Sequence, residues 1–115
     1  MISYRRGEVV LIRFPSSDLI TYKKRPALVV QADGLNTGLH QRIVAMISSN
    51  LKRTGETRVL ITRASAEGRQ MGLLTDSVVV ADNLATVLDR EVDKAIGACP
   101  DMTAVDHALR KTLGL

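Results

Sequence analysis

The stretch KKRPALVV (residues 23–30) joins three consecutive cations to a proline and an uninterrupted apolar run. Residues 27–30 are typical of a short buried strand, bounded downstream by the turn-forming pair at 33–34. Proline restricts φ and disfavours helix in the residue before it, so we expect a loop carrying the cations to enter the strand at Pro26. If a strand holds Arg25 rigidly, the fork of donors on its guanidinium is well placed to bind a phosphate. The alternative is a solvated basic loop beside an ordinary core strand.

The composition indicates one small globular domain with an aliphatic core. The chain has 115 residues, of which 45% are apolar and 24% are charged. Aromatic residues make up only 3%, which argues against a broad base-stacking platform. We find no apolar run of membrane-spanning length and no secretory signal, so we expect no membrane contact.

Charge is distributed unevenly along the chain. The net charge is +4, but residues 1–63 carry 11 Lys/Arg against 4 Asp/Glu, whereas residues 64–115 carry 5 against 8. A basic half in a small protein favours a polyanionic partner, nucleic acid above all. The alternative is a dipolar protein without such a partner.

Metal and redox chemistry have little support in the sequence. Cys99 is the single cysteine, which excludes a disulfide within the chain and fits a reducing, cytoplasmic location. His40, Cys99 and His107 lack metal-ligand spacing, so we expect no metal and no cofactor. We expect Cys99 to be a small buried apolar residue rather than a nucleophile.

Hydropathy patterns predict short strands followed by one helix. We expect strands over residues 8–14, 27–30, 42–47, 58–61, 77–81 and 95–98, with 84–87 continuing or bending the fifth. Residues 63–73 predict a loop, 89–92 a single helical turn, and the long connection through 16–22 a functional or mobile loop. The predicted fold is mainly β (α+β): a small antiparallel β-barrel with a packed helix.

The C-terminal residues predict that helix. One helical face would carry Val105, Ala108, Leu109, Thr112 and Leu113. Thr103 and Asp106 have the spacing of a capping box, and Gly114 is the expected stop.

Five segments form a pattern larger than any one motif. They are RGEVVLIRF (6–14), KRPALVV (24–30), IVAMISS (43–49), GLLTDSVVVADNLATVLDREV (72–92) and VDHALRKTLGL (105–115). In this order and spacing the chain resembles the MazF/PemK toxins of bacterial type II toxin–antitoxin systems. The resemblance implies an SH3-like β-barrel, a homodimer, ribosome-independent and metal-independent cleavage of single-stranded RNA, and neutralisation by a cognate antitoxin.

The resemblance also implies roles for three residues. Arg25 matches the arginine of the family's RPA motif, which stabilises charge on the phosphate and is a candidate proton donor to the leaving oxygen. Ser48 stands where the family usually has threonine, whose hydroxyl bonds a phosphate oxygen. Asp82 stands where some relatives have an acidic residue proposed as general base. The implied reaction is attack of a 2′-oxygen on the neighbouring phosphate, which leaves a 2′,3′-cyclic phosphate and a 5′-hydroxyl.

Other polar residues are candidates for contacts with RNA phosphates, and every assignment has a structural alternative. The candidates are Lys23, Lys24, Ser49, Lys52 and Arg53. The basic residues would otherwise serve solubility alone. Arg25 would otherwise pair with a carboxylate of a partner subunit, Ser48 would satisfy backbone groups at a strand end, and Asp82 would be a turn residue.

The chain departs from the family pattern in two places. Many relatives have a glycine-rich loop with a Glu-Gln pair before the RPA motif, where this chain has residues 17–22. The resemblance implies that this loop gates or lines the RNA site. Some relatives have an arginine where this chain has Val80, so any proton-donor role falls to Arg25.

Three functions without RNA cleavage stay open as alternatives. The barrel also resembles that of the CcdB gyrase poisons, which bind a protein target. A MazF-like dimer that only binds RNA or an antitoxin is the second alternative. A generic SH3-like adaptor is the third, and the scarcity of aromatic residues argues against its peptide groove.

Overall fold

The computed structural model describes residues 4–15, 18 and 20–115, which form a six-stranded antiparallel sheet and two helices. The strands are β1 (Glu8–Pro15), β2 (Tyr22–Val29), β3 (Gln41–Ser48), β4 (Arg58–Ile61), β5 (Ser77–Leu88) and β6 (Val92–Ala98). The helices are α1 (Ala66–Gln70) and α2 (Thr103–Leu113), and a 3₁₀ turn spans Asp89–Glu91. Residues 16, 17 and 19 of the predicted long loop lie outside the described residues.

The mainly β class with a C-terminal helix is confirmed, but the predicted barrel does not close. The strand order is β4-β5-β3-β2-β1-β6, and in the described part of the chain β4 and β6 each pair with one neighbour. The segment after β4 takes the place of a closing ladder, because Gly72 packs against the backbone of Ile96 in β6 and Gly97 packs against Gln70 and Met71. This segment, and not β4, covers the edge of β6.

Two hydrophobic clusters explain the apolar patterns of the central strands. Neighbouring residues of one strand point to opposite faces of a sheet. Val9 and Leu28 accordingly belong to one buried cluster, and Val10 and Val29 belong to the other. Because both faces of β1, β2 and β3 are covered, these strands carry continuous apolar runs instead of an alternation.

The second strand begins earlier than predicted. We expected the basic triplet in a loop that enters a strand at residue 27, but β2 starts at Tyr22 and contains all three cations. The partner is β1, in which Phe14, Arg13 and Ile12 face Lys23, Lys24 and Arg25 in register. β1 continues through Pro15 and so supplies backbone partners upstream of Pro26.

Residues 66–70, predicted as part of a loop, form the short helix α1. Ser65 caps this helix by accepting a hydrogen bond from the Gly68 N–H at 3.0 Å. A Cβ at Gly68 would meet the Thr62 carbonyl oxygen at 2.2 Å, so this glycine permits close packing and does not break the helix. Tertiary packing therefore outweighs the low helix propensity of glycine.

The helix α2 is confirmed, whereas its predicted capping box is wrong. The cap residue is Met102, and the Asp101 carboxylate accepts hydrogen bonds from the Thr103 N–H (2.9 Å) and hydroxyl (2.6 Å). Asp106 pairs instead with Arg6 at 2.5 Å, which ties α2 to the segment before β1. Gly114 ends α2 in the left-handed conformation, as predicted. No helix in the described residues has the length and apolarity that crossing a membrane requires.

Cys99 is buried in the first cluster, as expected for a small apolar residue. Its thiol contacts the Asp101 carbonyl oxygen at 3.3 Å. Burial raises the pKa of this thiol, which disfavours the nucleophilic thiolate.

We predict that Gly97→Ala strongly destabilises the fold. The new Cβ would lie 2.4 Å from the Gln70 carbonyl oxygen and 2.7 Å from that of Met71, so backbone must move. We expect a loss of about 3 kcal/mol in the free energy of unfolding, the upper end for overpacking. Gly38→Ala is the control: no atom lies within 4 Å of its added Cβ, and its positive φ costs about 1 kcal/mol. Urea denaturation measures both, and a smaller loss for Gly97→Ala than for Gly38→Ala contradicts this packing.

Candidate active site

The site opens where β2 and β3 stop pairing. Their ladder pairs Val29, Leu28 and Ala27 with Val44, Ala45 and Met46, and it ends there although both strands continue. Going toward the start of β2, the residue beyond the last pair is Pro26, which has no N–H to donate. Continuing the same register by two residues would set Arg25 opposite Ser48. Both residues line a groove of about 1140 Å³ at this position.

The floor of this groove runs across the strands. Lys94 of β6 faces Leu11 of β1, and Leu11 faces Pro26 of β2. On the other side, Met46 of β3 faces Val80 of β5. All five residues line the groove, so it crosses the sheet instead of following a strand. An extended polymer is a suitable occupant for a surface of this shape.

The groove lining is strongly basic. Among the described residues it includes five cations and no carboxylate, the cations being Lys23, Lys24, Arg25, Arg53 and Lys94. Four of these come from β2 and the turn after β3. A cleft lined by one sign of charge attracts the opposite sign, so the groove fits a polyanion.

Arg25 is the cation best placed for chemistry. It is exposed, and within the part of the chain that the structure describes its guanidinium has no ion-pair or hydrogen-bond partner. β1 holds the backbone of Arg25 through the pairing with Ile12, which is buried. The strand therefore presents a fixed position and leaves all the donors of the fork available to a ligand.

Ser48 ends β3, and its hydroxyl organises the following turn. The Ser48 Oγ accepts a hydrogen bond from the Asn50 N–H at 3.1 Å, and Asn50 in turn accepts from the Lys52 N–H through its side chain. The hydroxyl hydrogen stays available, so Ser48 can donate to a phosphate oxygen while it holds the turn. Ser49 and Arg53 of the same turn also line the groove.

Lys24 is already partly neutralised by Asp93. The Lys24 ammonium lies 3.1 Å from one Asp93 oxygen, and the Arg13 guanidinium lies 2.8 Å from the other. The hydrogen bond from Lys24 is the main cause of the lowered pKa of Asp93, with charge contributions from Lys24, Arg13 and Lys94. This network links β6, β1 and β2 at the edge of the groove.

Two predicted residues do not line the groove. The Asp82 carboxylate accepts a hydrogen bond from Arg58 at 3.0 Å, and Lys52 lies on the turn after β3 without joining the lining. Asp82 belongs to a bulge in β5, because Val80 pairs with Met46 and the next pair is Leu84 with Ala45. Its catalytic role stays a prediction, as do the roles of the other candidates.

The same bulge brings in a residue that sequence reasoning missed. Asn83, the last residue of the bulge, lines the groove in place of its neighbour Asp82. An extra stretch in one strand changes which side chains face a given side, and this register shift depends on the pairing with β3. Lys94 and Leu74 were missed for a similar reason, since tertiary packing alone brings β6 and the segment after α1 to the groove.

The described residues contain no group of three or more His, Cys, Asp or Glu side chains arranged to hold a metal ion. The polar groups that the described groove lining offers are cations, hydroxyl groups and the two side-chain amides of Asn50 and Asn83. These groups bind a phosphate and stabilise charge that develops on it.

Solved structures share this fold over nearly the whole chain. An endoribonuclease in complex with its cognate antitoxin, from a mycobacterial species, is 23% identical with a TM-score of 0.74, covering 98% of this chain and 97% of that one. Another mycobacterial endoribonuclease is 25% identical with a TM-score of 0.73, covering 100% and 95%. A MazE–MazF structure from Deinococcus radiodurans is 19% identical with a TM-score of 0.72, covering 100% and 99%.

Comparison by sequence gives the family. A search of curated proteins finds no significant match. The model of the PemK-like, MazF-like toxins of type II toxin–antitoxin systems matches residues 5–113, nearly the whole chain. The family predicted from the five sequence segments is therefore confirmed, and the chain belongs to the PemK-like, MazF-like toxins of type II toxin–antitoxin systems.

Proposed function

We propose that this chain is an endoribonuclease toxin that cleaves single-stranded RNA in the groove between β2 and β3. The observation that carries the proposal is the placement of Arg25 at the end of the β2–β3 ladder, in the same groove as Ser48. Among the described residues Arg25 has no ion-pair partner, and the groove lining contains no carboxylate. Membership of the toxin family and the likeness to a mycobacterial endoribonuclease support it.

The reaction needs no nucleophile from the protein. The 2′-oxygen of one nucleotide attacks the adjacent phosphorus, the bond from phosphorus to the 5′-oxygen of the next nucleotide breaks, and the proton of the 2′-hydroxyl leaves as the 5′-oxygen gains one. The products are a 2′,3′-cyclic phosphate and a 5′-hydroxyl. The groove supplies position and charge stabilisation, which are the largest contributions available for such a step.

Arg25 and Ser48 bind the reacting phosphate in this proposal. The Arg25 fork contacts the non-bridging oxygens, on which negative charge grows during attack. Ser48 donates its hydroxyl hydrogen to one of the same oxygens. Lys23, Arg53 and Ser49 bind flanking nucleotides, while Lys24 does so when it leaves Asp93. Lys52, outside the lining, is left with a weaker, longer-range attraction.

Asp82 stays our prediction for the general base, and its contacts set a condition on that role. To take the 2′-hydroxyl proton, the carboxylate has to leave Arg58 and turn toward the groove. The alternative, in which the Arg58–Asp82 pair joins β4 to the bulge of β5, needs no rearrangement.

The proposed partners are a cognate antitoxin and a second copy of the chain. Family membership and the antitoxin complexes among similar structures support the first. Exposed apolar side chains on β4 and at the C-terminus, among them Leu60, Leu113 and Leu115, support a contact between copies. The lone buried Cys99 and the RNA substrate support a cytoplasmic location.

Replacing Arg25 tests the proposed function directly. We expect purified protein to cut a long mixed-sequence RNA in EDTA into fragments with 5′-hydroxyl ends, and Arg25→Ala to lower kcat/KM by about 10²–10³. Arg25→Lys keeps the positive charge but loses the guanidinium fork, so its kcat/KM should lie between those of native protein and Arg25→Ala. Arg69→Ala, on the exposed face of α1, is the matched control. Intact RNA with the native protein, or an unchanged rate with Arg25→Ala, contradicts the proposal.

The role of Ser48 is tested by a pair of substitutions. Ser48→Thr keeps the hydroxyl and should keep cleavage within about threefold, while Ser48→Ala removes a charge-assisted hydrogen bond and should lower kcat about 10- to 100-fold. Thermal unfolding of both variants separates this loss from damage to the turn that Ser48 caps. Equal cleavage by Ser48→Ala and native protein rules out the phosphate contact.

Removing Asp93 should strengthen RNA binding. Asp93→Asn frees Lys24 and Arg13, so we expect tighter binding at low salt. The slope of log K against log salt should steepen by about 0.7 for each additional phosphate that the protein neutralises. Fluorescence anisotropy with an RNA carrying a 2′-deoxynucleotide at the mapped cleavage site measures this. Asp101→Asn removes the same charge outside the groove and should leave the slope unchanged; an equal slope for both variants contradicts the role of Asp93.

A further inference from the structure

An exposed leucine stands out in the RNA groove. Among the large apolar side chains that the described part of the chain exposes, Leu74 has the highest exposure, at 86%. It is also the member of that set that lines the groove. The others, including Leu60 at 63% exposed, lie elsewhere on the surface.

The backbone holds Leu74 firmly in this position. On one side of it, Leu73 is buried in the first cluster and its N–H donates to the Gly68 carbonyl at 3.3 Å. Gly72, with φ of +71°, packs directly on the Ile96 carbonyl. On the other side, the Thr75 carbonyl accepts a hydrogen bond from the Ser77 hydroxyl at 2.9 Å. A rigid backbone lowers the conformational entropy that a contact through Leu74 would lose.

The groove lining combines cations with apolar side chains. Lys23, Arg25 and Arg53 come from β2 and the turn after β3, whereas Leu74 comes from the segment that packs on β6. A single RNA strand has a charged backbone and apolar base faces, and proteins commonly contact the two with different residues. Phosphates bound near Arg25 leave the bases free to contact apolar surface. Phe14 is the aromatic residue of the described lining and is half-buried, whereas Leu74 is the most exposed apolar side chain there.

We propose that Leu74 is a base-contacting residue, on which one unstacked base of the single-stranded RNA packs while Arg25 and Ser48 hold the reacting phosphate. This inference rests on the proposed function and assigns one nucleotide position to one side chain. The contact removes apolar surface of both the leucine and the base from water. It contributes to affinity without changing the number of neutralised phosphates.

A cycle of protein and RNA changes tests the contact. The probe is the 2′-deoxy RNA that spans the mapped cleavage site, prepared as a series in which each nucleotide in turn lacks its base. We expect the loss of one base to weaken binding to native protein about three- to tenfold, and the same loss to have no effect on Leu74→Ala. The salt slope of Leu74→Ala should equal that of native protein. Leu35→Ala, an exposed leucine outside the groove lining, is the matched control and should keep the native pattern at every position.

The outcomes separate this inference from the function beneath it. A native protein that neither binds nor cuts RNA overturns both. The base contact alone is overturned if the native protein cuts RNA but Leu74→Ala weakens binding equally for every RNA of the series. The base contact is also overturned if Leu74→Ala sediments with a lower mass than native protein, because Leu74 would then belong to a contact between copies of the chain.

Discussion

The missing N–H of Pro26 is the constraint on which the site depends. β2 and β3 form a regular ladder up to Ala27 and Met46, and both strands continue past that point without pairing. Pairing with β1 keeps this part of β2 extended, so the strands separate without either one unravelling. The separation exposes Arg25 and Ser48 toward a shared space, where a continued ladder would have set them side by side. The groove therefore opens at the residue of β2 that has no N–H to donate.

The covering of both faces of the sheet gives the groove its rigid walls. The two clusters bury alternate residues of the central strands, so Arg25 and Ser48 extend from strands that cannot easily shift. The segment from α1 to β5 packs on β6 through Gly72 and Gly97 and completes the lining. Arg6 ties α2 to the segment before β1 through Asp106 and also donates to the carbonyl of Val30, the residue after β2. The glycines that pack this segment on β6 therefore serve both stability and the geometry of the groove.

Charge placement adds selectivity for a polyanion. The N-terminal half holds the excess of Lys and Arg, and β2 together with the turn after β3 delivers four of these cations to the groove. Two acidic residues next to groove-lining residues are paired, Asp93 with Lys24 and Asp82 with Arg58. The carboxylates thus moderate the positive field without entering the described lining.

Local sequence patterns predicted the elements whose signal is local. The bounds of β3 and β4 follow from apolar runs between turns, and α2 follows from its apolar face and Gly114. Arg25 and Ser48 were predicted as a pair from family motifs, and the register at the end of the β2–β3 ladder explains why they share one groove. The early start of β2 was missed because it depends on the pairing with β1, which local sequence does not show. The helix α1 was missed because Gly68, which disfavours a helix by propensity, is required there for close packing. The groove positions of Asn83 and Leu74 depend on a bulge and on a docked segment, which no local pattern encodes.

The most direct test of this account is to map the RNA-binding surface by NMR. Amide and methyl resonances of the isotope-labelled protein would be followed as the 2′-deoxy RNA is added. The account predicts that the shifted resonances cluster at Arg25, Ser48, Arg53 and Leu74, across the strands. A second cavity is lined by Tyr4, Leu39 and Val92. Shifts confined to that cavity would contradict the claim that the groove between β2 and β3 is the active site.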